Sequence, residues 1–275
     1  MSSRFDFHLE PSPGAVPPLG PLAGVRVLVT RPALPAARTA ARLAALGAEP
    51  LVFPTLVIEP PSDPAPLERA RARLAEFHAA VFVSPSAVEM TLAPYGARPL
   101  AWPCGVTAFA PGPGTAEALA ACGVEPVRMP ETRFDSEGLL ALAELSAASV
   151  AGRQVVIFRA ETGRDLLPEE LARRGATVEV VAAYQSRAPE SAPTGLVELL
   201  RDGRIDAVSV MSAEALENLV ALVPEAERAR LRALQLYASH PRIAERAQAL
   251  GFAKVTTTEA GDAGLISALL AQHAA

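Results

Sequence analysis

The chain is 275 residues long, half of it hydrophobic but only 5% aromatic, and it carries a formal net charge of −5. That length allows roughly two domains, with cores that have to be built from Ala, Val and Leu. The acidic balance excludes a broad nucleic-acid or anionic-membrane surface, so an anionic ligand must be met by a few locally placed arginines.

In chain order, residues 1–23 (MSSRFDFHLEPSPGAVPPLGPLA) read as a flexible Pro-rich tail, with Asp6 and Glu10 where a signal peptide would be apolar. Residues 25–29 (VRVLV) form an apolar, β-branched strand, and 37–47 have helical spacing that stops at Gly47. The alternation continues with a strand at 50–53, a helix at 66–77, a strand at 79–83 and a helix at 86–92. A strand at 105–110, a helix at 114–123, a strand at 125–129 and a helix at 136–145 follow. The same order then returns: strands at 154–158, 178–183, 207–210, 235–238 and 253–255 alternate with helices at 164–174, 194–201, 213–222, 241–250 and 262–272.

The return is in register. Gly24 and Gly152, Arg31 and Arg159, Leu43 and Leu171, Gly47 and Gly175, Ser84 and Ser212, Pro113 and Pro241, Glu117 and Glu245, and Gly123 and Gly251 are each 128 residues apart. A repeat of that length is a duplicated domain rather than a solenoid unit. Strands apolar on both faces and separated by helices imply parallel sheets covered on each side, hence an α/β protein of two flavodoxin-like three-layer lobes. Pro-rich joints follow the second strand of each copy, at 60–66 and 186–193. If the chain crosses at both, strand-helix-strand units are exchanged. Residues 24–57 then join 187–275 in the first lobe, 61–184 make the second, and linkers lie near 58–60 and 185–186. Two consecutive lobes, divided near 146–151, satisfy the same pattern.

Ligands of open parallel sheets bind beyond the carboxyl ends of the strands. Arg31, Thr55, Ser84 with Ser86, Gly112 to Thr115, Arg159, Tyr184, Ser212, and Ser239 with His240 all follow strands, which suggests two facing rims and a cleft. In APGPGTAEAL, Gly112 and Gly114 permit close backbone approach and Thr115 stands at a helix start, either as a cap or where free N–H groups attract an anion. VSPSAV offers the same pair of readings for Ser84 and Ser86. Arg31 and Arg159 are either ion-paired or suited to bidentate carboxylate recognition. No GxGxxG follows a first strand, PGPGT lacks a P-loop lysine, and no serine sits in a GxSxG elbow. Cys104 and Cys122 form no CxxC and no Cys/His cluster suggests a metal, which fits a reducing cytoplasm. No apolar run reaches the roughly 18 residues of a membrane span.

VLVTRP, LAALGAEPLVFPTLVIEP, AAVFVSPSAV, PGPGTAEALAACG, FDSEGLLALAEL and GRQVVIFRAETGRDLLPEELARRGATVEVVAAYQ, in that order, resemble uroporphyrinogen-III synthase over residues 24 to about 272. The resemblance implies two lobes that exchange strands across a two-stranded linker. It also implies a cytoplasmic monomer acting without metal or organic cofactor in tetrapyrrole (haem, sirohaem) biosynthesis. Its implied reaction closes hydroxymethylbilane, a linear tetrapyrrole with eight carboxylates, losing water and inverting the last ring. Transient contact with the hydroxymethylbilane synthase that supplies this substrate goes with that reading. Tyr184, in AAYQ, matches the family tyrosine implied to assist departure of the hydroxyl, and Thr115 matches a threonine of the first-half turn. The second half departs from the family. His240 and Arg242, in ASHPRIAERA, stand where Gly and Thr are expected, and VMSAEAL keeps only Ser212 of a Thr-Ser-Pro pattern. Arg242 is then a replacement source of charge. A non-catalytic two-lobed small-molecule binding protein would show the same paired lobes, and a two-lobed glycosyltransferase would add a nucleotide site.

Overall fold

A computed structural model describes residues 20–92, 102–190 and 195–273. Among these residues are eleven strands: β1 (Arg26–Val29), β2 (Glu49–Val52), β3 (Val57–Glu59), β4 (Ala79–Phe82), β5 (Thr107–Phe109), β6 (Val127–Arg128), β7 (Gln154–Ala160), β8 (Thr177–Arg187), β9 (Ala207–Val210), β10 (Gln235–Ala238) and β11 (Lys254–Thr257). The chain divides into two compact units, one running to Val57 and resuming at Ala188, the other covering Ile58–Arg187.

In the discontinuous unit the sheet order is β11-β10-β9-β1-β2. Counted along the unit's own chain this is 2-1-3-4-5, the flavodoxin-like doubly wound order. The pairings of β1 with β2 and β9, and of β10 with β9 and β11, are all parallel. Strand periodicity of two sorts the side chains. Leu28, Leu51, Val208, Val210, Leu236 and Ala238 face one core with Leu196, Leu216, Leu219, Ile243 and Ala247 from the covering helices. Val27, Val29, Ala207 and Tyr237 face the other, closed by Ala36 and Leu43 of the helix Ala33–Ala44 and by Leu265 and Leu269 of the helix Gly261–His273. The result is three layers.

The continuous unit has the order β3-β8-β7-β4-β5-β6. Without the edge strand β3 this is the same pattern, with β7 and β8 as first and second strands and β4 to β6 as the last three. Phe82, Phe158, Val156 and Val181 face a core with Leu67, Val88 and Leu119, in which the Phe82 and Phe158 rings stack at 4.9 Å between centroids. Val81, Phe109, Val155 and Ile157 face Leu139, Val150, Leu167 and Leu171 on the opposite side.

The consecutive-lobe arrangement is therefore wrong, because Val27 of β1, flanked on one side by Pro50 of β2, pairs on its other side with Ala207 of β9 from the second repeat. Each lobe takes its first two strands from one copy and its last three from the other. Residues 58–60 and 185–186, read as linkers, fall within or beside β3 and β8, which are neighbours in one sheet. Three local expectations are corrected. The helix expected at 136–145 ends at Leu140, and a 3-10 turn occupies Ala143–Leu145. An additional helix runs over Arg228–Ala233. Residues 1–19 of the expected tail and the helix start at Thr194 lie outside the described residues, while Leu22, placed in that tail, is fully buried and bonds to the carbonyl of Leu46. No helix among the described residues is long and apolar enough to cross a membrane.

Candidate active site

In the discontinuous unit Arg31 leaves the carboxyl end of β1. Its Nη1 donates to Asp262 Oδ1 at 2.5 Å and to Thr39 Oγ1 at 3.1 Å. The Asp262 carboxylate is only 4% exposed, and it also accepts from Arg42 Nη1 at 3.2 Å. Arg31 itself retains 12% exposure. Ser212 caps the helix Ala213–Leu222 by accepting from Ala215 N at 3.1 Å. His240 caps the helix Pro241–Ala249 in the same way, with Nδ1 accepting from Arg242 N at 3.1 Å. The substituted turn thus performs the capping that a short polar residue performs elsewhere, and the Arg242 side chain stands exposed on the helix's first turn.

In the continuous unit Arg159 leaves β7, donating to the carbonyl of Arg164 at 2.9 Å and to Asp165 Oδ1 at 3.0 Å. Ser84 caps the helix Pro85–Leu92 through Ala87 N at 3.1 Å, and Ser86 is buried in its first turn. The two capping serines, 128 residues apart in sequence, make the same bond of the same length. The helix Pro113–Ala121 is capped by Gly112, whose backbone is extended (φ −173°). A side chain at 112 would meet Phe134 Cβ at 3.0 Å, so close packing explains the glycine. Gly114 is the second helical residue. Thr115 is the third and is buried at 4% exposure; the cap expected of it belongs to Gly112.

Tyr184 lies near the end of β8, where the ladder slips. Arg159 pairs with Ala182, but Ala160 pairs with Tyr184, leaving Ala183 as an extra residue. Strict alternation would send Tyr184 to the face opposite Ala183. The bulge instead lets both pack in one core with Ala87 and Val88. The Tyr184 Oη then shares a 3.0 Å hydrogen bond with Ser84 Oγ. Bulges in parallel pairs are rare and characteristically re-aim side chains near sites.

Within each unit the structure thus brings the expected residues to the carboxyl ends of the strands: Arg31, Ser212, His240 and Arg242 in one, and Arg159, Ser84, Ser86, Gly112, Gly114, Thr115 and Tyr184 in the other. Sequence reasoning missed Asp262. Its one local signal was an acidic residue in a first helical turn, and its pairing with Arg31 spans 231 positions. It also missed the β8 bulge, which leaves no trace in composition.

These features define a duplicated, strand-exchanged α/β protein with helix N-termini and arginines gathered at the carboxyl ends of two mostly parallel sheets. A family model described as uroporphyrinogen-III synthase HemD matches residues 37–267, and the chain belongs to that family. It is 34% identical over 207 residues to the uroporphyrinogen-III synthase of Synechococcus elongatus, covering 74% of this chain and 76% of that one. It is 30% identical over 239 residues to that of Escherichia coli, covering 86% and 96%. Among solved structures, a mutant uroporphyrinogen III synthase from Thermus thermophilus aligns with a TM-score of 0.51 at 23% identity, over 90% of this chain and 99% of the other. The Helicobacter pylori enzyme aligns at 0.52 and 14%, over 90% and 99%. At these identities the structural likeness speaks for the fold.

Proposed function

We propose that this chain cyclises hydroxymethylbilane to uroporphyrinogen III, with loss of water and inversion of the terminal pyrrole ring. The observation that carries this reading is the family match, which spans both copies of the duplication. The chemistry asks little of individual side chains. The hydroxymethylpyrrole expels its hydroxyl with help from its own ring nitrogen, giving an azafulvene electrophile. The terminal ring attacks through its substituted carbon to form a spiro intermediate, which fragments and recloses inverted. The protein's work is to hold both chain ends in reacting geometry and to stabilise cationic intermediates.

In this reading substrate carboxylates are met by the N-terminal turns of the helices Pro85–Leu92 and Pro113–Ala121, in the unit that carries Tyr184. Backbone N–H groups and the helix dipole favour anions there, while Arg159 beside them is ion-paired to Asp165. Tyr184 is assigned to the departing hydroxyl, donating through its phenol. Neither a metal nor an organic cofactor is required by these steps. Action as a cytoplasmic monomer in transient contact with hydroxymethylbilane synthase belongs to the same proposal.

The test is product analysis. Purified protein incubated with hydroxymethylbilane should give the type III isomer in excess of the type I isomer formed by spontaneous closure. A product mixture identical to the protein-free control would leave the non-catalytic binding reading in its place.

A further inference from the structure

From the β8 bulge and the Ser84–Tyr184 hydrogen bond, and resting on the assignment of Tyr184 to the departing hydroxyl, we infer that Ser84 is a positioning residue that sets the direction of the Tyr184 phenol. Two independent features converge on that phenol. The extra residue at Ala183 turns Tyr184 onto the face that packs against the helix Pro85–Leu92. At the start of that helix, Ser84 Oγ accepts from Ala87 N at 3.1 Å and shares the 3.0 Å bond with Tyr184 Oη. One oxygen therefore fixes a helix terminus and the phenol together. In this role Ser84 Oγ, accepting from Ala87 N, donates its own proton to Tyr184 Oη and so leaves the phenol proton for the departing hydroxyl, and Tyr184 is 9% exposed with its ring held in the core. A donor held this way reaches the departing hydroxyl without searching rotamers, which helps the transition state more than the bound ground state.

The duplication supplies an internal contrast. Ser212, the repeat partner of Ser84, makes the identical capping bond to Ala215 N at 3.1 Å. The residue standing 128 positions before Tyr184 is Leu56, a buried apolar side chain with no hydroxyl to direct. Capping is therefore common to both copies, and the link to a phenol belongs to Ser84.

The experiment measures type III isomer formation for Ser84→Ala, Ser84→Gly, Ser84→Thr, Tyr184→Phe and the Ser84→Ala/Tyr184→Phe double variant, with thermal midpoints for each and for Ser212→Ala. Gly is a tolerated cap, so Ser84→Gly removes the hydroxyl with little loss of stability. Expected is a fall in kcat of about 5-fold or more for Ser84→Ala and Ser84→Gly, with KM changed by less than about 2-fold. Ser84→Thr should recover most of the loss, and the double variant should be no slower than Tyr184→Phe alone, because the two hydroxyls act as one unit. Ser84→Ala should lower the thermal midpoint at least as much as Ser212→Ala, because it loses the bond to Tyr184 as well as the cap. If Tyr184→Phe is impaired while Ser84→Gly keeps parental kcat, the positioning role is overturned and the role of Tyr184 stands. Losses that multiply in the double variant overturn it equally. Parental turnover by Tyr184→Phe would remove the assignment of Tyr184 itself, and this inference with it.

Discussion

At the scale of single residues, the Asp262 carboxylate concentrates the charge of its lobe. Nearly buried, it accepts from Arg31, Arg42 and Thr39, a set drawn from the first strand's end and the first helix. The network costs desolvation on both sides, so its value lies in orientation, whereas removal of one partner leaves charge uncompensated. Asp262→Ala should therefore destabilise the protein by about 3–5 kcal/mol in urea unfolding, with Asp262→Asn losing less because it can still bond to Thr39. An unchanged midpoint for Asp262→Ala would show that Arg31 is held by other means. Gly114 gives the complementary test, of backbone rather than side chain. It occupies the second position of a helix that already begins at Pro113, a turn in which proline is sterically accepted. Gly114→Pro should leave the thermal midpoint within a few degrees yet raise KM for hydroxymethylbilane, since it deletes an N–H at the helix mouth. A folded Gly114→Pro variant with parental KM would take this turn out of the binding surface.

Among elements, the helix Leu166–Arg173 is tied to the segment it covers by an ion-paired hinge. Glu170 bonds to Arg173 and Arg174 at 2.6 to 2.9 Å, and Arg174 Nη1 donates to the carbonyls of both Leu140 and Leu145 at 2.7 Å. Arg174 thus closes the last turn of the helix Ser136–Leu140 and the 3-10 turn after it, which is why the helical period of residues 136–145 breaks into two pieces. The hydrogen bonds from Arg173, and then those from Arg174, bring the Glu170 pKa down from 4.5 to about 2. With the folded value below the unfolded one, the unfolded chain binds more protons between them, so this contribution is fully present above about pH 4.5. It is lost as pH falls through about 2. Unfolding of parent and Glu170→Gln should accordingly differ most near neutrality and converge as pH drops across that window. A difference that stays constant down to pH 2 would contradict the pairing. Screening at this partly exposed position keeps the effect small.

For the whole molecule, sequence repeats and folding units are not the same objects. One repeat, residues 24–151, contains β1 and β2, whose sheet is completed by β9 to β11, together with β4 to β6, whose sheet needs β7 and β8. Residues 58–187 hold both hydrophobic cores of the continuous unit. Expressed alone, 58–187 should unfold in a single cooperative urea transition, and 24–151 should not, because each of its half-sheets would expose an apolar edge and two faces. Cooperative folding of 24–151 with failure of 58–187 would reverse this account.

The sequence by itself determined the alternation of strands and helices, the duplication at 128 residues and the polar positions after each strand. Periodicity, punctuation by Gly and Pro, and capping residues are local signals written within a few positions of one another. Gly47 and Gly175, for instance, both take positive φ where the helices before them stop. The resemblance carried by short motifs reached the family as well. Only the tertiary structure decided between consecutive and exchanged lobes, since the side of Val27 away from β2 meets Ala207 or a third strand of its own repeat according to where the chain crosses, and the hydrophobic pattern of β1 satisfies either. It alone supplied Asp262 for Arg31 and Ser84 for Tyr184, contacts separated by 231 and 100 residues. Such pairings follow from how sheets register and where a ladder slips by one residue. Those outcomes are set by the summed packing of many side chains, and no short stretch of sequence contains them.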